Sequence, residues 1–171
     1  MKEQKVLVAY FSKDGENYID GNVVNITVGN TEVVAKMIGE LTGGDLFKIE
    51  PVAKYPKSYT KCTELAKTEL EENARPKMKG NCPDMDAYDV IYLGYPNWWG
   101  TMPMVVYTFL ESFDSTGKTI YPFCTHEGSG LSLTEHDIER VCETAQVERG
   151  LAIQGSKVEE SRIRIERWLN R

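Results

Sequence analysis

Lys5–Phe11, KVLVAYF, runs directly into Ser12–Thr31, SKDGENYIDGNVVNITVGNT, and the reading of this junction decides the fold. Seven residues, nearly all apolar, bounded by a polar stretch describe a strand buried on both faces, as the central strands of a parallel sheet are. Two turns that could receive an anion follow it, Gly15–Asn17 and Gly29–Thr31. Only the second leads into a helical pattern, Thr31–Leu41, which puts Val34, Met37, Ile38 and Leu41 on one face and stops at Gly43-Gly44. Helix N-termini attract anions through unpaired N–H groups and the helix dipole, whereas Glu16 in the first turn would repel one. A phosphate is therefore assigned to Gly29-Asn30-Thr31, with the Ser12 hydroxyl reaching in from the strand end. The alternative is that Asn30 or Thr31 simply caps the helix. Between the turns, Asp20-Gly21 flanked by Tyr18-Ile19 and Val23-Val24 predicts a small β-hairpin inserted into the loop.

Working outward, β-rich runs alternate with helical ones. Leu46–Glu50 reads as a half-exposed edge strand, Asp89–Tyr95 and Thr119–Thr125 as central strands, the latter weakened by Pro122, and Gly150–Ile153 as a short fifth strand. The helical patterns are Ser58–Asn73, with Tyr59, Cys62, Leu65 and Leu70 in register, an apolar Pro103–Phe113, a helix to about Cys142 with Ser132 and Glu135 as a capping box, and Val158–Leu169. Residues 1–171 thus predict a single α/β domain. It is a three-layer, doubly wound, five-stranded parallel sheet of order 2-1-3-4-5, whose ligands gather outside the carboxyl ends of the strands.

Three loops fall at that edge. Besides the anion turn, Tyr95–Pro103, YPNWWGTMP, offers two adjacent indoles, and an indole in a loop is a natural stacking face for a planar aromatic ligand. Thr125–Gly130, THEGSG, has two glycines that free its backbone to present N–H groups to a ring edge. His126 and Glu127 are too few to hold a metal, and no metal site is expected. An anion cradle, a stacking face and a polar backbone edge are the parts that hold a flavin mononucleotide.

With these residues in view, the chain resembles the flavodoxins over essentially its whole length, in particular members with a Y-F-S…G-N-T phosphate loop and a Y-P-N-W-W-G loop. The resemblance implies noncovalent FMN, with its phosphate on Ser12, Asn30 and Thr31 and on the backbone from Gly29 to Glu32. It places Pro96, Asn97, Trp98, Trp99 and Gly100 on one flank of the isoalloxazine and Thr125, His126, Glu127, Gly128, Ser129 and Gly130 on the other. Trp98 or Trp99 is the stacking residue. Where shorter relatives put two residues between the serine and G-N-T, this chain has sixteen, Lys13–Val28, and the extra length is expected either to alter the phosphate pocket or to shield the flavin.

Such a protein supplies orientation and tuning to redox chemistry that belongs to the flavin. The first expectation is a low-potential electron-transfer protein without catalytic residues of its own, docking partners near the Trp98–Trp99 edge. The second is an NAD(P)H-dependent quinone or nitroaromatic reductase. A receiver domain of this topology would need an acidic pair after the first strand, where Phe11-Ser12 stands, and an aspartate after the third, where Tyr95-Pro96 stands. A serine hydrolase would need glycine two residues before Ser129, where Glu127 stands.

Composition agrees. A net charge of −6 without a Lys/Arg stripe argues against nucleic acid and for redox partners with a basic surface. There is no apolar run of membrane-spanning length and no cleavable leader pattern, so a cytoplasmic monomer or weak dimer is expected. Cys62, Cys82, Cys124 and Cys142, with no C-x-x-C pair, read as reduced thiols.

Overall fold

The computed structural model describes residues 2–171. Its strands are β1 (Val6–Tyr10), β2 (Gly15–Ile19), β3 (Asn22–Ile26), β4 (Asp45–Lys48), β5 (Val90–Pro96), β6 (Thr119–His126), β7 (Gln146–Val147) and β8 (Leu151–Gln154). The α-helices are α1 (Asn30–Thr42), α2 (Tyr59–Glu71), α3 (Met104–Leu110), α4 (Thr134–Val141) and α5 (Arg162–Leu169).

The main sheet is parallel and runs β4-β1-β5-β6, with β7 and β8 sharing the position beyond β6. This is the expected 2-1-3-4-5 order, with the fifth place filled by two short strands. The split explains how Pro122 is tolerated in β6. Its outer partner changes from Val147, opposite Ile120, to Leu151, opposite Phe123, so the proline lies at a gap in the neighbouring ladder.

β1 shows why the sheet needs two covering layers. Leu7, Ala9 and Phe11 enter one buried cluster with Ile91, Leu93, Val105 and Phe109. Val8 and Tyr10 enter the other, with Val34, Ile38, Phe123, Ile165 and Trp168. Burying such side chains contributes about 1.5–3 kcal/mol each, and a period-two pattern apolar in both phases can secure that on two faces only.

Four local expectations are corrected. In α2 the buried residues are Cys62 and Ala66, while Leu65 and Leu70 face outward, because this helix packs through a narrow stripe. Ser132 and Glu135 form no capping box. Ser132 lies one residue outside the Leu133 cap in a left-handed conformation, and the Glu135 carboxylate accepts from the Gly150 N–H at 2.9 Å. Pro103 is the cap of α3 rather than part of its first turn. The last helical segment is a 3₁₀ stretch, Gly155–Glu160, that turns at Ser161 into α5.

The hairpin is formed. β2 and β3 pair antiparallel around Asp20-Gly21, whose φ values of 51° and 82° are those of a tight primed turn. Among the described residues, no helix is long and apolar enough to cross a membrane, and all four cysteines are free thiols.

Candidate functional site

β1 leads through α1 to β4 on one side, and β5 leads through α3 to β6 on the other, so a crevice opens at the carboxyl ends of β1 and β5. A cavity of about 410 Å³ lies there, within the ordinary range for small-molecule sites.

One end of the cavity is the start of α1. Gly29 is its cap residue and has no side chain to offer; the first turn is capped from outside by Ser12, so neither Asn30 nor Thr31 is the cap. A Cβ on Gly29 would lie 2.1 Å from Ser12 Oγ and 2.7–2.8 Å from the Lys13 backbone, so only glycine lets the two ends of the loop meet. Ser12 Oγ accepts from the Glu32 N–H at 3.0 Å, and Val33 N–H reaches the Gly29 carbonyl at 3.3 Å. The N–H groups of Asn30 and Thr31, in the first turn, have no carbonyl behind them within the helix. Asn30 and Thr31 line the cavity, whereas Ser12, Gly29 and Glu32 shape this end from behind. The Glu32 carboxylate turns away to Lys36 and Lys48 at 3.0 and 2.9 Å. Burial pushes its pKa up, but these two ammonium groups outweigh that and hold it below the usual value. The Thr31 hydroxyl is itself buried against the Thr125 hydroxyl at 2.7 Å, which ties α1 to the end of β6.

The second wall is the loop after β5. Trp98 and Thr101 exchange backbone hydrogen bonds at 2.9 and 3.2 Å around Trp99 and Gly100, with φ of 55° and 82°. Glycine adopts that geometry freely; a tryptophan does not, and a non-glycine residue held there stores about 1–3 kcal/mol of strain. The turn sends the two indoles different ways. Trp98 packs edge-on against Phe11 and Tyr55, at 5.2 and 4.9 Å between ring centres. Trp99 is 54% exposed, donates from Nε1 to the Thr63 carbonyl at 2.9 Å and carries the Lys67 ammonium over its ring at 5.5 Å. Both indoles border the cavity. Asn97 is committed to joining loops: its amide nitrogen donates to the Gly130 carbonyl and Ser132 Oγ, both at 2.9 Å, and its oxygen accepts from Gly100 N–H at 3.0 Å.

The third wall follows β6. Thr125, His126, Glu127 and Ser129 line the cavity; Gly128 and Gly130, with φ of 133° and 64°, bend the loop around it. His126 Nδ1 accepts from the Gly128 N–H at 2.9 Å, which requires that nitrogen to be unprotonated. Burial lowers the His126 pKa, reinforced by Arg164 and opposed by Glu127. Glu127 Oε2 accepts from the backbone of Asp20 at 3.3 Å and from Gln154 at 3.5 Å, while Oε1 is buried without a partner.

The fourth wall joins the inserted hairpin, which the sequence offered as a shield for the flavin, to α2, which was not foreseen. Glu16, Asn17 and Tyr18 of the hairpin and Tyr59, Cys62, Thr63 and Ala66 of α2 face the same cavity. Lys13 joins them, its buried ammonium donating to the Asp14 carbonyl at 2.6 Å and toward the Glu16 and Lys57 carbonyls at 3.5 and 3.4 Å. Burial lowers the Lys13 pKa. The same burial pushes the Cys62 thiol up to about 11, so it is not a nucleophile near neutral pH. Only the position of the hairpin, between strand and phosphate turn, signalled its part in the site.

The family model for flavodoxin matches residues 5–171. Among solved structures, one of a protein provisionally assigned as a flavoprotein from Bacteroides uniformis ATCC 8492 is 28% identical, with 99% of this chain and 100% of that chain covered and a TM-score of 0.79. A counterpart from Bacteroides eggerthii DSM 20697 is 26% identical over 98% and 97%, with a TM-score of 0.74. A flavoprotein in complex with FMN from Lactobacillus acidophilus NCFM shares the fold at 20% identity over 92% and 98%, with a TM-score of 0.69. No curated protein sequence matches the chain.

Proposed function

Because this chain belongs to the flavodoxin family, we propose that it binds FMN noncovalently in the cavity at the carboxyl edge of the sheet and exchanges electrons with redox partners. The observation that carries this reading is the pairing of two ends in one cavity: free N–H groups at the start of α1, where Gly29 leaves no room for a side chain, and the indoles of Trp98 and Trp99. The donor set suits a phosphate because it is neutral and convergent, and the indoles suit a flat ring.

The flavin, when bound, supplies the redox chemistry. Asn30 and Thr31 would hold its phosphate through their backbone N–H groups, with the Asn30 amide adding a side-chain donor and Ser12 holding the turn in shape. Trp99, exposed and fixed by its bond to Thr63, is the better stacking face. Trp98 is a wall anchored in the core. Gly128 to Gly130 would offer backbone groups to the ring edge. An exposed Trp99 edge gives partners an approach, and the net charge of −6 favours partners with a basic surface, an attraction that salt weakens.

Titration of the purified protein with FMN tests the reading directly. Yellow colour and mutual quenching of tryptophan and flavin fluorescence are expected, and neither would appear if the cavity holds something else. One observation favours a second reading, an NAD(P)H-dependent quinone or nitroaromatic reductase: the cavity continues past the three loops to α2 and the hairpin, where a second small molecule would have room. Steady-state NAD(P)H oxidation with and without a quinone separates the two, because a pure carrier turns over neither.

A further inference from the structure

We infer that the β2–β3 hairpin is a strap across the flavin site, fastened at its tip by Glu127, and that it governs the rate at which the flavin enters and leaves. The inference rests on the FMN reading above.

The two ends of the hairpin are held very differently. Its root is anchored several times over near the start of α2. Glu16 N–H donates to the Lys57 carbonyl at 2.9 Å and the Glu16 carboxylate accepts from Tyr59 N–H at 2.8 Å; further out, Tyr18, itself exposed, stacks on Tyr59 with ring centres 6.0 Å apart. The Lys13 ammonium sits beneath, 2.6 Å from the Asp14 carbonyl. A Cβ on Gly15 would press on Lys57 at 3.1–3.3 Å, so the root is also packed closely. The tip is held by one contact to the rest of the molecule among the described hydrogen bonds, the 3.3 Å bond from Asp20 N–H to Glu127 Oε2. Glu127 belongs to the loop that forms the opposite wall. The hairpin therefore reaches from the α2 side of the cavity to the β6 side, with a firm hinge and a light catch.

That asymmetry is what a gate needs. Releasing the catch leaves the root and the sheet intact, and the tip then lifts by parting the Tyr18–Tyr59 stack alone, without disturbing the fold. Glu127 is here a positioning residue that acts through the hairpin.

The test compares stopped-flow association and release of FMN for the intact protein, Glu127→Ala, Glu127→Gln and a chain lacking Asp14–Thr27. FMN must first bind to the intact protein; failure there overturns the functional reading and with it the premise, and is recognised before any variant is made. With binding established, Glu127→Ala is expected to release FMN roughly three- to tenfold faster, as loss of one hydrogen bond implies. Association should quicken too, so that Kd moves less than the release rate. Riboflavin should be affected equally, since the strap does not touch the phosphate. Glu127→Gln keeps an acceptor oxygen and should release as slowly as the intact protein. In the shortened chain Glu127→Ala should add nothing. Unchanged release in Glu127→Ala overturns the inference. So does equal acceleration by Glu127→Ala with the hairpin absent, which would mean direct contact with the flavin. If the shortened chain does not fold, Glu127→Gln decides: release as fast as in Glu127→Ala overturns the strap.

Discussion

The hydroxyls of Thr31 and Thr125 lie 2.7 Å apart, both residues buried, and join the first turn of α1 to the end of β6. The side chain that would be expected to grip a phosphate thus also holds two walls of the cavity together. Thr31→Val leaves the Thr125 hydroxyl without its partner and should cost about 1–3 kcal/mol in urea unfolding. The double variant Thr31→Val with Thr125→Val should cost clearly less than the sum of the singles, because neither hydroxyl is then orphaned. Additive costs would mean that the bond is not formed.

Asn30→Ala is the cleaner probe of the anion end, since Asn30 lines the cavity, whereas the buried residues of α1 are Thr31, Val34, Ala35 and Ile38. It should weaken FMN more than riboflavin in fluorescence titrations. Equal weakening would move the phosphate elsewhere.

Gly29→Ala brings a methyl group within 2.1 Å of Ser12 Oγ and 2.7 Å of the Lys13 carbonyl oxygen. Backbone cannot yield as a flexible side chain can, so the start of α1 must shift. A loss of about 1–3 kcal/mol in stability is expected, together with loss of the preference for FMN over riboflavin. Gly21→Ala, in open space at the hairpin tip, should suffer only the strain of its φ of 82°, about 1 kcal/mol.

Trp99→Gly separates fold from function. It relieves the strain of a φ of 55° while removing the indole and its bond to Thr63, so the stability of the protein without flavin should change by less than about 1 kcal/mol. FMN affinity should fall about tenfold or more with the stacking face gone. Trp98→Gly should do the reverse and destabilise the fold by about 3 kcal/mol or more, because Phe11 and Tyr55 lose their common neighbour.

The His126 ring sets a pH window. Its folded pKa is depressed, by burial first, so between that value and the ordinary unfolded value of about 6.5 the unfolded chain binds more protons than the folded one. Stability from this group is therefore complete above about pH 6.5 and declines as the pH falls through the window. Protonation also removes the acceptor for the Gly128 N–H. Thermal melts from pH 7.5 downward should show a decline that His126→Gln reduces.

The central strands were legible because they are buried on both faces, which leaves runs such as Val6–Phe11 with no polar interruption. The three loops followed from topology once those strands were placed. Hairpin existence was equally plain in Asp20-Gly21, yet its destination was not, since contact between Asp20 and Glu127 spans 107 residues and leaves no periodic trace. Leu65 and Leu70 misled for a related reason: helical spacing says which residues share a face, and only the neighbours decide how wide the buried stripe is. Ser132 and Glu135 had capping-box spacing, but the Gly150 N–H and the Asn97 amide claimed their side chains instead. Lys13 was unremarkable as one charge among many until three carbonyls were found around its ammonium.

The close meeting of Ser12 and Gly29 has a consequence for how this loop can vary. Sixteen residues leave the sheet at Lys13 and return at Val28, yet the chain re-enters at the point it left, since a Cβ on Gly29 would overlap the Ser12 hydroxyl. The excursion adds no net displacement, and the entropy of closing a loop rises only slowly with its length. The hairpin is accordingly a cassette: it can be shortened, lengthened or exchanged between relatives while β1, α1 and the turn between them stay in register, and the access it grants to the cavity is free to change independently of the fold that carries it.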